Sequence, residues 1–333
     1  MGNLYPLLML PRFDPRPWGT HDLSPIYPNH RFEEKIGEAW LTGDDCKVAN
    51  GPLAGRTLSQ LSEQYQRELV GEAARNAKRF PLLLKFLFPH EKLSVQVHPD
   101  DEQALRVGEP WGKTECWYVA HAKAGAQIAL GLKPGVTSAH LEAAIHEQRA
   151  EQLLNWINVY PGDMIYVAGG TVHTLGPGSV IVETQQQSDM TYRLYDYGRP
   201  RELHLENGLA AVKETVASGK VIRPAPSQLG SGKNRRVPLV AAPYFVVDMF
   251  EAKEGLELTT RDGSGRSSAQ IMVATEGCGV IEAPGMESVT LAKGDAVVIP
   301  ASIDGFGVRP QWALEFLRVY VPGTSLPEPD TRI

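Results

Sequence analysis

Short apolar or alternating runs dominate the first half of this chain. They are LLLKFLF (82–88), LSVQVH (93–98), TECWYVAHA (114–122) and AQIALGL (126–132). Strand side chains point alternately to opposite faces, so this pattern predicts strand after strand from 81 to 132. An earlier strand core lies in RFEEKIGEAWLTG (31–43), and later ones in WINVYPGDMIYVAGGTVHTLG (156–176) and SVIVETQQQ (179–187). Helical spacing interrupts them. Over 57–70, Leu58, Leu61, Tyr65 and Leu69 share one face, and Thr57 with Gln60 forms a capping box. Leu141, Ile145 and Leu153 give a second helical stretch within 137–156, and a short helix is expected at 205–216. Residues 217–237 are polar and rich in Gly, Pro and Ser, as a linker would be. Strands resume over 238–322 and end in ALEFLRVYVP.

One internal repeat orders these elements. GDMIYVAGGTVH (162–173) aligns without a gap with GDAVVIPASIDG (294–305). Each copy has Gly-Asp, an apolar strand and a turn, so the second half repeats the barrel of the first. The copies differ at their last position, His173 against Gly305. The expected fold is therefore all-β with a few small helices, in two barrels. Residues 1–216 form the first, 217–237 the linker and 238–333 a second, degenerate barrel without a metal site.

The bulk numbers narrow the function. The chain has 333 residues, 42% apolar and 22% charged, which is ordinary for a globular protein. Its formal net charge is -6 and no Lys/Arg block is present, which argues against nucleic acid as a partner. Three distant cysteines (Cys46, Cys116, Cys278) suggest no disulfide framework and point to a reducing cytoplasm. No apolar run approaches the roughly 20 residues of a membrane span. The N-terminal stretch has neither a basic segment nor a small-residue cleavage site, so no signal peptide is expected.

Candidate chemistry sits in three separated runs, SVQVHPDD (94–101), GKTECWYV (112–119) and GDMIYVAGGTVHTLG (162–176). Gln96 and His98 are two apart in a strand, so both point the same way. Glu115 and His173 join them only if the sheet folds back on itself, as a barrel does. The result is a mixed nitrogen and oxygen site with room for a divalent metal.

A wider set of motifs resembles the type I phosphomannose isomerases, also called mannose-6-phosphate isomerases. The set is WG (18–19), GEAW (37–40), PLLLK (81–85), SVQVHPDD, GKTE (112–115), GTVH (170–173) and TYRLYDYGR (191–199). The likeness is closest to the short bacterial form. It implies a double cupin, two jelly-roll barrels, covering nearly all the chain. It further implies that Gln96, His98, Glu115 and His173 bind one zinc ion, although other divalent metals fit the same ligands. Lys85, Ser94 and Lys113 match positions that hold the substrate phosphate. Arg193 matches the catalytic arginine, and Glu183 an acidic residue considered for proton transfer. The implied reaction is reversible conversion of mannose 6-phosphate to fructose 6-phosphate through a cis-enediol. The expected partner is a phosphorylated sugar, with the protein a monomer or weak homodimer in the cytoplasm. Two rival readings are a metal-dependent cupin oxygenase and a non-catalytic sugar-phosphate sensor.

Overall fold

A computed structural model describes residues 4–215 and 217–333. The first half supplies β1 (Leu7–Leu10), β2 (Arg12–Thr20), β3 (Ile36–Trp40), β4 (Lys47–Val48), β5 (Leu82–Leu87), β6 (Val95–Val97) and β7 (Glu115–Ala122). It continues with β8 (Gln127–Leu132), β9 (Leu154–Asn158), β10 (Met164–Val167), β11 (His173–Leu175), β12 (Ser179–Gln186), β13 (Tyr192–Tyr195) and β14 (Gly219–Val221). One sheet runs β2-β3-β5-β12-β7-β10-β14, and a smaller one runs β13-β6-β11-β8-β9. Their inner faces meet over Leu87, Trp117, Ile128, Leu130, Ile165 and Ile181, which fill the first barrel. Every named pairing is antiparallel, so inward and outward residues alternate along each strand.

The second half supplies β15 (Ser227–Leu229), β16 (Asn234–Ala241), β17 (Val246–Ala252), β18 (Leu256–Thr259), β19 (Gln270–Glu282), β20 (Val289–Ala292), β21 (Ala296–Ile299), β22 (Gly305–Tyr320) and β23 (Thr331–Arg332). These strands curl around Phe250, Met272, Val297, Ile299 and Phe316. Phe250 and Phe316 are cross-strand partners whose rings stack 5.0 Å apart. The repeat found in the sequence is structural. Its copies are β10 and β21, and His173 and Gly305 open β11 and β22 respectively.

The two barrels share one apolar seam. Phe86, Tyr118, Tyr166 and Val182 point outward from the first barrel, and Phe245, Val247, Ile271 and Leu317 meet them from the second. Cys116 lies in this seam, on the face opposite Glu115, as the alternation requires. The chain ends cross between barrels. Strand β1 pairs with β21 of the second barrel, while β23 pairs with β14, which pairs with β10 of the first. The stretch read as a linker carries both β14 and β15, which give its backbone groups sheet partners.

The helices differ in extent from the sequence reading. The 57–70 stretch divides into α1 (Leu58–Tyr65) and α2 (Arg67–Val70) at Gln66, whose φ is 46°. The expected Thr57–Gln60 capping box is present. An unanticipated α3 (Asp101–Arg106) starts from Asp100, which forms the same box with Gln103. Next, α4 (Ser138–His146) stops before Gln148, which adopts φ 56°, and a separate 3₁₀ turn (Ala150–Leu153) holding Leu153 leads into β9. Last, α5 (Leu205–Ala211) ends where Val212 becomes extended.

Phe245 is fully buried in the seam, with its ring 6.3 Å from that of Tyr166. Truncation there removes apolar contact and leaves a cavity. Phe245→Ala should cost about 3–5 kcal/mol in urea-monitored unfolding. A loss below about 1 kcal/mol would mean that the seam closes over the gap or contributes little.

Candidate metal centre and active-site cavity

Sheet register brings the sequence-separated candidate ligands together. Gln96 and His173 are cross-strand partners in the smaller sheet, and His98 follows directly after β6. Glu115 opens β7 in the larger sheet, so the site forms where the two sheets meet. His98, Glu115 and His173 are all buried, and their ligand atoms lie within 4.8 Å of one another. Each imidazole donates its Nδ1–H to a backbone carbonyl, His98 to Met190 and His173 to Thr171, both at 2.9 Å. That fixes both rings with the Nε2 lone pair turned inward, the arrangement a metal-binding histidine needs.

The spacing suits a small divalent ion. Nε2 of His98 and of His173 each lie 3.5 Å from a Glu115 oxygen, and the Gln96 amide nitrogen is 3.2 Å from His173 Nε2. Tetrahedral bonds of about 2.1 Å place ligand atoms about 3.4 Å apart. Turning the Gln96 amide over would present its oxygen instead of its nitrogen, a change of orientation alone. Both Glu115 oxygens are buried, and Oε1 has no hydrogen-bond partner. What stands beside them is a cation, the Lys113 ammonium, 2.9 Å from both Glu115 Oε2 and His98 Nε2. Burial, followed by the Lys113 charge, holds His98 well below the usual histidine range, and burial lowers His173 to about 4. Both rings are thus neutral at pH 7, as ligands must be. Burial and the nearby Glu183 charge push the Glu115 carboxyl up to about 7, a cost that a bound cation would offset.

A cavity of about 470 Å³ is lined by Lys85, Ser94, Gln96, Lys113, Glu183 and Arg193, all named from the sequence. Glu183 lies on β12 between Lys85 of β5 and Trp117 of β7. Lys85 Nζ is 3.1 Å from Glu183 Oε1, and the Trp117 indole N–H donates to Oε2 at 3.0 Å. Burial opposes the Glu183 charge, yet Lys85 and Lys113 outweigh it and hold the carboxyl below its ordinary value. Lys85 Nζ also lies 3.8 Å from Glu38 and 5.0 Å over the Trp40 ring. Glu38 in turn accepts from Arg16 at 2.9 Å and from the Trp40 indole at 2.8 Å. The chain of alternating charge is therefore Arg16, Glu38, Lys85, Glu183. Arg193 differs from these. It donates to the Glu202 carbonyl at 2.7 Å, and its buried Nε has no partner. Its guanidinium therefore keeps donor capacity for a ligand in the cavity.

The second barrel carries this constellation with three of its charges reversed and the fourth replaced by an amide. Through the repeat and the matching registers, Glu115 corresponds to Gln270, Glu183 to Arg318, Lys85 to Asp248 and Glu38 to Arg236. Arg318 donates to Gln270 at 2.6 Å, and Arg236 pairs with Asp248 at 2.9 Å. Among the described residues, His98, Glu115 and His173 are the one group of three or more His, Cys, Asp or Glu placed to hold a metal ion.

Sequence reasoning missed Arg16, Glu38, Asp189 and Arg201, which also line the cavity. Trp117, buried in the core of the first barrel, also holds Glu183 through its indole N–H. A signal existed for Glu38, a lone carboxylate in an otherwise apolar strand, IGEAW, whose five residues are all buried. Nothing local marks Asp189 or Arg201.

Glu38 offers a test by pH. Burial raises its pKa, but Lys85 and Arg16 dominate and bring it down from 4.5 to about 2. A depressed carboxyl contributes stability that is complete above about pH 4.5 and is lost as pH falls toward about 2. The stability gap between wild type and Glu38→Gln should thus be widest near neutrality and close on acidification. Denaturant titrations at a series of pH values measure it, and a gap independent of pH would remove Glu38 from this network.

Known proteins share this architecture. Residues 22–110 match the family model described as phosphomannose isomerase type I, catalytic domain. A mannose-6-phosphate isomerase of Streptococcus mutans is 33% identical over 309 residues, covering 90% of this chain and 93% of the relative. The mannose-6-phosphate isomerase ManA of Bacillus subtilis is 40% identical over 218 residues, covering 62% of this chain and 68% of the relative. The crystal structure of the mannose 6-phosphate isomerase from Bacillus subtilis superposes with a TM-score of 0.81 at 32% identity, over 94% of this chain and 99% of that one. Register, candidate ligands and cavity thus occur in a chain that follows the Streptococcus mutans relative and the Bacillus subtilis crystal structure almost end to end, and the chain belongs to the type I phosphomannose isomerase family.

Proposed function

We propose that this chain interconverts D-mannose 6-phosphate and D-fructose 6-phosphate through a cis-enediol, with one zinc ion held by Gln96, His98, Glu115 and His173. The observation that carries this reading is the adjacency of two systems, a buried ligand set that reaches the cavity through Gln96 and the charged residues of the cavity wall. A neutral-histidine ligand set lies beside an ionised buried carboxylate, Glu183, and a guanidinium with an unpaired N–H, Arg193. The substrate class comes from the names of the relatives. The second barrel, with Gly305 and Gln270 at the ligand positions, is proposed to bind no metal.

Aldose–ketose conversion moves a proton between C1 and C2 while negative charge develops on O1 and O2. A bound divalent ion supplies electrostatic stabilisation for that charge. Glu183 is ionised and held rigidly by Lys85 and Trp117, so it is available to accept a proton from the sugar carbon. The strong pairing makes it a modest base, whose contribution comes from position more than from raised basicity. Arg193 stays protonated, and its planar fork suits a pair of sugar oxygens. Lys113, released from His98 and Glu115 when those residues hold an ion, would reach a substrate oxygen in the cavity, with Ser94 as a neutral hydroxyl beside it. Lys85 would act on the substrate mainly through the field it shares with Glu183. Binding energy from the phosphate end then serves to align the reacting carbons.

A coupled assay on mannose 6-phosphate, before and after chelation and zinc readdition, tests the reading. Fructose 6-phosphate should form, stop on chelation and return with zinc. Ligand binding without turnover in fully loaded protein would favour a sensor, and a requirement for oxygen would favour an oxygenase. Within the same assay, Arg193→Ala should retain metal yet lose about 10²-fold or more in kcat, since the arginine acts on developing charge. Normal turnover in that variant would remove its assignment.

A further inference from the structure

We infer that Gln186 and Asp101 are positioning residues that hold the Lys113–Glu115 segment in register with the two histidines. The inference rests on the metal-site reading above. Glu115 is the one ligand contributed by the larger sheet, and the three residues before it are loop. What fixes that loop is a polar bridge behind the site. The Gln186 amide oxygen accepts from the Thr114 backbone N–H at 2.9 Å, and its NH₂ donates to Asp101 Oδ1 at 2.8 Å. The same Asp101 oxygen accepts from the Gly112 N–H at 3.0 Å. Backbone on both sides of Lys113 is thereby tied to one carboxylate–amide pair.

The surroundings leave the loop no other seat. A Cβ at Gly112 would stand 2.3 Å from the Asp100 carbonyl carbon, so the loop packs directly on the start of α3. Lys113 N donates to the Pro99 carbonyl at 2.9 Å, and the Thr114 hydroxyl accepts from Gly169 N at 3.2 Å. The loop thus links the segment after His98 to the segment before His173. Asp101 is anchored in turn by Arg75 at 2.6 Å, and the Arg75 guanidinium lies 5.2 Å over the Tyr244 ring of the second barrel. Gln186 is buried and touches none of the ligand atoms in these bonds, so it acts through the backbone of the loop.

Removing an outer partner of a metal site typically lowers affinity by about 10- to 100-fold. Gln186→Leu keeps the volume and loses both hydrogen bonds. Its zinc affinity, measured by competition with a chromophoric chelator, should fall about 10-fold or more. The thermal midpoint of the chelated protein should move little, and kcat at saturating zinc should fall more than KM rises. Gln186→Glu sets two carboxylates face to face and should lose affinity similarly. Adding Asp101→Asn sets an NH₂ donor against the new carboxylate, although that NH₂ cannot also accept from the Gly112 N–H, so the double variant should recover part of the loss. Zinc affinity of Gln186→Leu within about twofold of wild type would overturn the inference. So would a double variant no better than Gln186→Glu, a comparison that holds even if the leucine variant fails to fold. Wild-type protein that binds no zinc would instead overturn the metal-site reading itself.

Discussion

Antiparallel register is the constraint on which the rest of this structure depends. β12 lies between β5 and β7 so that Glu183 faces Lys85 on one side and Trp117 on the other. The same pairing sets Gln185 opposite Glu115, and β6 sets Gln96 opposite both His173 and Arg193. A slip of one residue in any of these strands would turn its polar set into the seam and its apolar set into the cavity. The apolar side enforces the choice, because Phe86, Tyr118 and Val182 can be buried only if Lys85, Trp117 and Glu183 face inward. Packing in one layer thus specifies chemistry in the next.

The charges that register gathers are costly to bury. Lys85 and Glu183 are each 4% exposed and Glu115 is 0% exposed, so each needs an opposite charge or donor in contact. Alternation supplies it along Arg16, Glu38, Lys85 and Glu183, and the two indoles of Trp40 and Trp117 occupy remaining acceptor sites. Such an array gains little net stability over an apolar one, but its dipoles are oriented before substrate arrives. Apolar clusters meet the stability requirement around it, in the lumen of each barrel, in the seam between them and between the smaller sheet and the helices α4 and α5.

Much of this was legible from the sequence because its signals are local or repeated. Period-two runs marked the strands, and the 162–173 and 294–305 copies marked the duplication that appears as β10 and β21. The candidate ligands came from motifs of a few residues each, and His98, Glu115 and His173 do lie together. The capping rule worked at Thr57 and Gln60, and it was equally available at Asp100 and Gln103. What stayed hidden depends on pairing between distant strands. Arg16 and Glu38 meet Lys85 only because β2, β3 and β5 are neighbours. Gln186 reads as the last residue of a polar strand end until Thr114 and Asp101 are set beside it. No periodicity records that β1 crosses to the far barrel.

That crossing has a consequence for how the molecule comes apart. The N-terminal strand completes the sheet of the C-terminal half, and the last strand extends a sheet of the N-terminal half. A cut between the halves would strip each one of a strand supplied by the other and leave unpaired backbone along an open sheet edge, a template for aggregation. Neither half is therefore a complete folding unit. Opening either crossing would strip the other barrel's sheet of a strand, so the cavity's sheet and the seam depend on the same pairings.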